Sequence, residues 1–589
     1  MLALLGILGF IQGAFLPGVL LLAWRGKIAQ WPLFFFLSFG ISLTISYVLA
    51  MVLVAVGLYT QTTMLLLFGL EVAGGFFLWR KNKLLLPKLS VPSCKSLEQS
   101  FARQPWFTLG IVFFWGFLTW LGYCYLRDLG NVFTNWDPIV SWNKWAALLA
   151  DNNPVSSFHY PQLLPVLLSV PYVFMGNTDL QFFSYALCGL FLPMSCLAAY
   201  SLYGQKPFVA LFTALVCAYW FQAHAFRAGN ADFPVLAMGL FTLCALLCWC
   251  REATEGNGKD LTLLFFAAAL AGGTAATKQA GLALLCFFPF ITYELGRGLP
   301  AHSRPKLVWI FQMTALAALV SLPWYLYARY QISVAANASE LHGTWVMAHE
   351  GRDLMQRLAF ALKQSSFVFL LALICLPNLL HKELRAITAL GLVLTIFWAI
   401  MLSYDSRNVS LAIPFLAFSA GHVLLGLRGN LPAWNIKCKK ILPSLLAVAA
   451  ILAIALLILF SDQVKDKLYI KQDKQAMHMG PGRLFNSEMM KELKKRPGFM
   501  ITSYSPMVMQ LRMNPEDFLL YQTIYGAIGH ESFEKAVARH SRVYFYIFLD
   551  GEQEALQAAF PDARLVMERR PYALFVLENH VAIKSGIQP

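Results

Sequence analysis

Long apolar stretches alternate with short polar segments along the first 460 residues of the chain. The stretches are close to 20 residues long, which is the length an α-helix needs to cross a hydrocarbon core of roughly 30 Å. This pattern predicts a polytopic α-helical membrane protein with about 14 transmembrane helices. The predicted spans lie near residues 1–24, 31–59, 62–79, 107–128, 180–204, 207–225, 233–250, 261–277, 280–295, 307–327, 366–380, 386–403, 409–427 and 441–460.

One apolar segment does not fit this scheme. The segment "LLPVLLSVPYVFMG" at 163–176 contains two prolines and is too short to span comfortably. We interpret it as a juxtamembrane or re-entrant helix.

The pattern changes again after about residue 461. Runs with strand-like composition, "GFMITSYS", "RVYFYIFLD" and "YALFVLE", alternate with the helical patterns "SFEKAVARH" and "EQEALQAAF". They predict a small α/β domain. A role in capping the protein or positioning an acceptor and a purely structural role both remain open for it.

The composition agrees with a membrane protein. Hydrophobic residues make up 58% of the chain and charged residues 13%, with a mean hydropathy of +0.58, whereas soluble proteins carry about 25% charged residues. The first 24 residues lack a basic start and a cleavage site, so we interpret them as a retained transmembrane helix. The eleven cysteines include no CxxC pair and mostly lie in apolar spans, which favours buried free thiols.

The net charge of +15 arises largely from basic clusters between the spans, such as Arg80–Arg103, 296–306 and 428–440. Almost all clusters fall on one side, which the positive-inside rule makes cytoplasmic. We therefore predict a protein of the inner (cytoplasmic) membrane with both termini extracytoplasmic. No basic tract interleaved with aromatic residues is present, so nucleic acid is not expected as a partner.

Charged and polar residues collect on the extracytoplasmic side, where basic residues are otherwise scarce. Such residues at the rim of a membrane bundle are costly and are candidates for function. Carboxylates together with cations suit a phosphate substrate, because cations stabilise a departing phosphate and a carboxylate accepts a proton. The residues on this side are Asp128, Asp137, His159, Arg227, Asp232, Lys278, Arg329, Asp405 and Arg407.

The two acids of greatest interest also have a structural explanation. Asp137 precedes Pro138 in "NWDPIVSWNKW" and fits a helix N-cap, followed by an amphipathic helix with Trp142 and Trp145 in the headgroup region. Asp232 in "GNADFP" fits an N-cap in the same way. Capping and function remain open for both residues, and one carboxylate can serve both.

The cations and the remaining polar residues have structural explanations too. Lys278 could simply extend to the interface, Arg329 could anchor beside aromatic residues, and Arg227 could mark a helix end. His159 fits an ordinary loop histidine, whereas Arg407 breaks the charge rule as Lys278 does. Glu71 is an acid within the third span with no evident partner.

The order of the extracytoplasmic motifs resembles the GT-C superfamily of integral-membrane glycosyltransferases. The resemblance is to the bacterial branch of lipid A aminoarabinose transferases and protein O-mannosyltransferases, and it covers roughly residues 107–460. It is carried by "WDPIVSW", "HYPQLLP", "GNADFP", "TKQAG", "PWY" and "SRNVSLAIPFLAF", in that order. The chain departs from the family in having three spans before the first motif and a single clear acid within it.

The resemblance implies inverting transfer of a sugar from a polyprenyl-phosphate carrier to an envelope acceptor, which is a glycolipid, glycan or protein. By analogy, Asp137 is the base or the carboxylate that orients the acceptor, and Asp232 is a second acid that supports it or a metal. A divalent metal ion held by these acids remains open as a cofactor. The lipid phosphate would be held by Lys278, Arg407, Arg329 and Arg227, with His159 and Tyr160 lining the pocket. A transporter or flippase of a lipid-linked glycan is the alternative function.

The resemblance also suggests how the chain is divided. We expect three N-terminal transmembrane helices at 1–80, a basic cytoplasmic loop at 81–106, and a transmembrane catalytic core at 107–460 with an outside loop at 130–178. The α/β domain at 461–589 follows and lies outside the membrane.

Overall fold

The structure is a computed structural model of the whole chain. It describes most of residues 2–81, 137–178, 181–334 and 352–429, together with 495–502, 518–520, 531–569, 572–578 and a few isolated positions. The predicted spans at 107–128 and 441–460 lie almost entirely outside these ranges. The chain divides into two compact units, one formed by Met1–Asn131 with Trp145–Leu431 and the other by Val132–Lys144 with Pro432–Pro589.

The first unit is helical. Its α-helices are α1 (Leu2–Ala14), α2 (Leu16–Arg25), α3 (Trp31–Ala55), α4 (Gln61–Arg80), α5 (Asn143–Ala150), α6 (Leu163–Met175), α7 (Phe182–Ser201), α8 (Pro207–Ala223), α9 (Asp232–Glu255), α10 (Thr262–Thr277), α11 (Gly281–Arg297), α12 (Leu307–Val334), α13 (Leu354–Gln364), α14 (Ser366–Cys375), α15 (Lys382–Phe397) and α16 (Ala412–Gly429). The first two residues of α5 belong to the second unit. Short 3₁₀ helices cover Ala301–Ser303, Leu376–Leu380 and Ser406–Val409, and a π-helix covers Trp398–Leu402.

These helices agree with the predicted spans to within a few residues at most ends. Six stretches of the described chain are long and apolar enough to cross a membrane. Two bent pairs, α1 with α2 and α13 with Ser366–Leu380, raise this number to eight if each pair forms one span. A total of about 14 spans stays a prediction. The six stretches are Trp31–Ala55, Gln61–Arg80, Phe182–Ser201, Asp232–Glu255, Ala301–Tyr330 and Lys382–Leu402.

Helix α9 occupies the interior of the bundle. Its most apolar window is 89% buried, whereas the corresponding window of α4 is only 6% buried. Helix α9 packs closely with α10, which is apolar on all sides, and also with α7 and α16. A helix that is apolar all round is favoured in such a position, because every side chain meets another helix. This packing places the first residue of α9 and the last turn of α10 together.

Helix α6 is the segment interpreted as juxtamembrane or re-entrant. All of its residues, 163–175, are buried, and it packs against α1, α3 and α7. It ends at Gly176, whose φ of +60° is the left-handed conformation that commonly terminates a helix. The segment is therefore an interior helix of the bundle.

The second unit contains an α/β domain, as the sequence predicts. Its five strands are β1 (Phe499–Thr502), β2 (Phe518–Leu520), β3 (Arg542–Phe548), β4 (Arg564–Arg569) and β5 (Tyr572–Glu578), and its helices include α17 (Glu531–Arg539) and α18 (Leu549–Ala559). The predicted strands and helices are confirmed, and β2 and β4 are additional. The strand order is β2-β1-β3-β5-β4, with β1 parallel to β2 and β3, and β5 antiparallel to β3 and β4.

Strand β3 shows why this sheet is buried on both faces. Side chains alternate across a strand, and Phe545 lies in one hydrophobic cluster with Phe533 of α17. Tyr544 and Tyr546 lie in the other cluster with Met489. The near-continuous apolar sequence "VYFYIF" is therefore suited to a central strand.

Glu71, which has no evident partner in the sequence, is paired in the structure. The Nε2 of Gln12 in α1 donates a hydrogen bond of 3.0 Å to the Oε1 of Glu71 in α4. Gln12 is 1% exposed. This bond joins two of the three N-terminal spans within their apolar surroundings.

We expect Gln12→Leu to lower the melting temperature of the detergent-solubilised protein, because the Glu71 carboxyl loses its buried donor. Leaving a buried polar group unsatisfied costs about 1–3 kcal/mol. The double variant Gln12→Leu/Glu71→Leu should recover part of this loss, since neither polar group then remains. Equal melting temperatures for wild type and Gln12→Leu would show that the bond contributes nothing.

Candidate functional site

A sharp turn between α10 and α11 presents Lys278. Helix α10 ends at Thr277, whose hydroxyl donates to the Gly273 carbonyl at 2.8 Å, and Lys278 has an extended backbone. Helix α11 then begins at Gly281, where a Cβ atom would lie 2.3 Å from the Thr274 carbonyl oxygen. Only glycine permits so close a reversal, so the "TKQAG" sequence positions the lysine at the end of the bundle.

Lys278 joins two other elements of the first unit. Its Nζ donates to the Oδ1 of Asp232, the first residue of α9, and to the Oδ1 of Asn408 at 2.9 Å. The Lys278 side chain is 13% exposed and that of Asp232 is 9% exposed. A lysine that merely extended to the interface would be solvated, so that interpretation is wrong.

The ion pair keeps Lys278 charged. Burial alone would lower its pKa, but the attraction and hydrogen bond of Asp232 outweigh burial and raise the pKa above the usual range. A group with a raised pKa holds its proton through neutral pH, and its contribution to stability is lost only when the pH rises through that pKa. An ammonium group has three donors, and Asp232 and Asn408 use two of them. Among the described residues Asp232 and Asn408 are the hydrogen-bond partners of this ammonium group, so its third N–H can bind a ligand.

The 3₁₀ helix that carries Asn408 is held by a second ion pair. Asp405 precedes this helix and accepts from the Arg407 backbone N–H at 2.9 Å and from its Nε at 2.8 Å and Nη2 at 2.6 Å. The Nε1 of Trp398 donates to the Asp405 carbonyl at 2.9 Å. Burial would raise the pKa of Asp405, but Arg407 outweighs burial and lowers it. These bonds hold the segment that leads into Asn408.

Lys278 lies at the polar end of a cavity of about 320 Å³. The polar side chains are those of Lys278, Gln279, Asn408 and Tyr160, whose ring lies 6.3 Å from that of Trp145. The other walls are apolar and come from α11, α15 and the following π-helix. They are formed by Ala280, Ala283, Val393, Leu394, Phe397, Trp398 and Leu402.

The apolar wall of this cavity reaches the outer surface of the bundle. Val393 is 45% exposed and Phe397 is 52% exposed. Apolar side chains exposed at the outer surface of a membrane bundle are suited to contact with lipid. The cavity therefore combines one cationic end with walls that suit a hydrocarbon chain.

The structure brings together some of the predicted site residues. Lys278 and Tyr160 line the cavity, and Asp232 is paired with Lys278. Arg407 immediately precedes Asn408 in the chain. Arg329 is exposed on α12 and is not among the residues lining the cavity. His159 and Arg227 lie outside the described residues.

Asp137 lies in the second unit, and the capping prediction for it is wrong. Its backbone is already helical, with φ −54° and ψ −47°, and its side chain makes no capping hydrogen bond. The next residues, Pro138–Trp142, form a π-helix, and Trp142 is 5% exposed rather than placed at a headgroup surface. The capping explanation for Asp232 also fails, since α9 begins at that residue and its carboxylate pairs with Lys278.

Asn408 is a site residue that the sequence reasoning missed. It follows Arg407 in the quoted "SRNVS" motif, but no pattern connects it with Lys278, which lies 130 positions away. Gln279, which follows Lys278 in "TKQAG", also lines the cavity. Residues of the apolar cavity wall, such as Phe397, lie in a predicted span. Nothing in the sequence distinguishes them from other apolar residues of that span.

The geometry does not fit a metal ion at Asp232. A carboxylate bonded to an ammonium group is a poor ligand for a second cation. In the part of the chain that the structure describes, no three His, Cys, Asp or Glu side chains come together as a metal site.

Solved structures that are similar to this chain include two of one protein. One is ArnT from Cupriavidus metallidurans bound to undecaprenyl phosphate, with 14% identity, 79% of this chain and 97% of the ArnT chain covered, and a TM-score of 0.46. The other is the same protein in the apo state, with 15% identity, coverage of 83% and 100%, and a TM-score of 0.47. No family model matches the chain, and no curated protein sequence does. Similarity at this level does not assign an activity.

The Asp405–Arg407 pair makes a testable contribution to stability. We expect Asp405→Asn to lower the melting temperature at neutral pH, because Arg407 loses its carboxylate. Bonds to charged groups contribute about 1.5–3 kcal/mol when buried, and partial exposure reduces this value.

The same pair predicts a dependence on pH. Because the folded state has the lower Asp405 pKa, the wild type should lose this stability as the pH falls below about 4. Asp405→Asn should lose less over that window. The control is Glu554→Gln, which removes an exposed carboxylate of α18. Parallel pH curves for wild type and Asp405→Asn would contradict the assignment.

Proposed function

We propose that this protein is a membrane glycosyltransferase that moves a sugar from a polyprenyl-phosphate carrier to an acceptor of the cell envelope. The observation that carries the proposal is the cavity with the Lys278 ammonium group at one end and apolar walls along the rest. A lipid phosphate has the complementary form, with an anionic group attached to a hydrocarbon chain.

Lys278 would bind the carrier phosphate through its third N–H. Asp232 and Asn408 hold the ammonium group in place before the ligand arrives, so little side-chain entropy is lost on binding. Low exposure strengthens the attraction, because water screens it less than at a surface. The isoprenoid chain would lie against Val393 and Phe397, which face lipid, and could enter from the bilayer.

The reaction would be a single displacement at the anomeric carbon of the sugar, as the GT-C resemblance implies. The acceptor hydroxyl forms a bond to that carbon while the bond to the carrier phosphate oxygen breaks. The proton of the hydroxyl passes to a carboxylate, and the carrier leaves as a phosphate anion. Lys278 stabilises the charge that develops on the departing oxygen, where a preorganised donor is most effective.

Asp137 is our candidate for the base, following its position in the resemblance. Asp232 is less suited to that task, because its carboxylate is bonded to Lys278. We propose instead that Asp232 orients the lysine. Arg407 is bonded to Asp405, and we propose that it supports the site by holding Asn408, with Arg329, Arg227, His159 and Tyr160 as further candidates for contact with the donor.

The carrier site predicts the effect of changing Lys278. Lys278→Gln should weaken binding of undecaprenyl phosphate by about 10–100-fold, since a hydrogen bond to a charged group contributes about 1.5–3 kcal/mol. Binding is measured as the shift in melting temperature on titration with the lipid. Lys306→Gln, which removes a cation lying over Trp309, is the control and should bind as the wild type does. Unchanged binding by Lys278→Gln would exclude the proposed site.

The transfer reaction is tested with purified protein, polyprenyl-phosphate sugars and extracted envelope acceptors. We expect the wild type to transfer a sugar and Asp137→Asn to lose most of the activity while binding undecaprenyl phosphate normally, because only proton transfer is affected. Normal activity in Asp137→Asn would show that another group is the base. Binding of the carrier with no transfer to any acceptor, together with movement of the lipid across vesicles, would favour a flippase.

A further inference from the structure

Helix α13, Leu354–Gln364, runs at a steep angle to the apolar segment that follows it. The two are bent by 98° at Ser365, and together they are long and apolar enough for a membrane helix. The start of α13 is well defined, because Asp353 and Gln356 form a capping box with hydrogen bonds of 2.8 and 3.2 Å. If the segment from Ser366 crosses the bilayer, α13 lies along its surface.

One face of α13 exposes apolar side chains in a row. Met355, Ala359 and Leu362 are spaced by four and three residues, which places them on one side of a helix. All three are exposed, Met355 by 73% and Leu362 by 52%. Ala361, on another side, is buried against the bundle. An exposed apolar row on a surface helix is favoured when it faces acyl chains.

The helix is attached to the wall of the cavity. Arg357 of α13 donates from Nη1 to the carbonyl of Ile400 in the π-helix at 3.4 Å and from Nε to the Arg352 carbonyl at 3.1 Å. Trp398 and Leu402 of the same π-helix line the cavity. Helix α13 therefore borders the part of the bundle that contains Lys278.

The charges along α13 complement an anionic surface. Arg352, Arg357 and Lys363 are basic, and Asp353 is acidic. Lys363 is exposed on the polar side, and the Arg352 guanidinium lies 4.3 Å from the centre of the Phe360 ring. Arginine and lysine beside a membrane each contribute attraction to anionic lipids.

We propose that α13 is an interfacial helix that binds anionic phospholipids in the leaflet beside the cavity. Met355, Ala359 and Leu362 insert among the acyl chains, and Arg352 and Lys363 contact the headgroup phosphates. Arg357 holds the helix on the bundle. This binding is independent of sugar transfer and of a carrier at Lys278.

The position of the helix is tested by lipid quenching. Single cysteines at Met355→Cys, Leu362→Cys and, as the matched control, Gln364→Cys are labelled with a fluorophore in full-length protein whose other reactive cysteines are replaced by serine. In nanodiscs of phospholipid with brominated chains, the labels at 355 and 362 should be quenched more strongly than the label at 364. Equal quenching at the three positions would overturn the proposal. Protection of the labels at 355 and 362 from both brominated lipid and aqueous iodide would overturn it as well, because protein would then cover this face of the helix.

The preference for anionic phospholipids is tested by native mass spectrometry of the full-length protein. Binding of anionic phosphatidylglycerol is compared with binding of zwitterionic phosphatidylcholine. Arg352→Gln and Lys363→Gln should each weaken phosphatidylglycerol binding by about fivefold and leave phosphatidylcholine binding unchanged. Gln364→Ala should behave as the wild type does, and the melting temperature in phosphatidylcholine nanodiscs verifies that each variant is folded. If the folded double variant Arg352→Gln/Lys363→Gln binds phosphatidylglycerol as the wild type does, the proposal is overturned. This outcome does not depend on whether the protein binds polyprenyl phosphates.

Discussion

The ion pair between Lys278 and Asp232 is the interaction on which the site depends. Removing two charges from water costs several kcal/mol for each ion, and only close pairing with further hydrogen bonds offsets that cost. Here Asn408 provides the further bond. Three segments that are far apart in the chain must therefore meet at one point: the start of α9, the turn after α10 and the 3₁₀ helix Ser406–Val409.

The remainder of the bundle holds these three segments together. The interior position of α9 fixes Asp232, and the tight reversal at Gly281 fixes Lys278. The Asp405–Arg407 pair and the hydrogen bond from Trp398 to the Asp405 carbonyl hold the segment that leads into Asn408. The π-helix Trp398–Leu402 also receives Arg357, so the cavity wall and the amphipathic helix α13 are parts of one connected region.

The three N-terminal spans have a structural relation to this region. Helix α1 packs closely on α6, and a Cβ atom on Gly9 would lie 2.7 Å from the Cα of Pro171. The hydroxyl of Tyr59, between α3 and α4, is 2.8 Å from that of Ser169 in α6. Because α6 begins shortly after Tyr160, the N-terminal spans support the segment that forms one side of the cavity.

The sequence by itself determined the helical spans and the strands β1, β3 and β5. Hydrocarbon thickness sets the length of a span, and burial on both faces requires an apolar strand, so both leave a local pattern. It also identified Asp232 and Lys278 as candidate site residues, because charged side chains at the rim of an apolar bundle are energetically costly. Only the tertiary structure decided that these two are partners, that Asn408 joins them and that Gln12 binds Glu71. Those contacts join residues from 46 to 130 positions apart, and packing of whole helices, rather than any local pattern, determines which distant side chains meet. The same holds for Asp137, where a proline suggested a cap but the folded backbone is already helical.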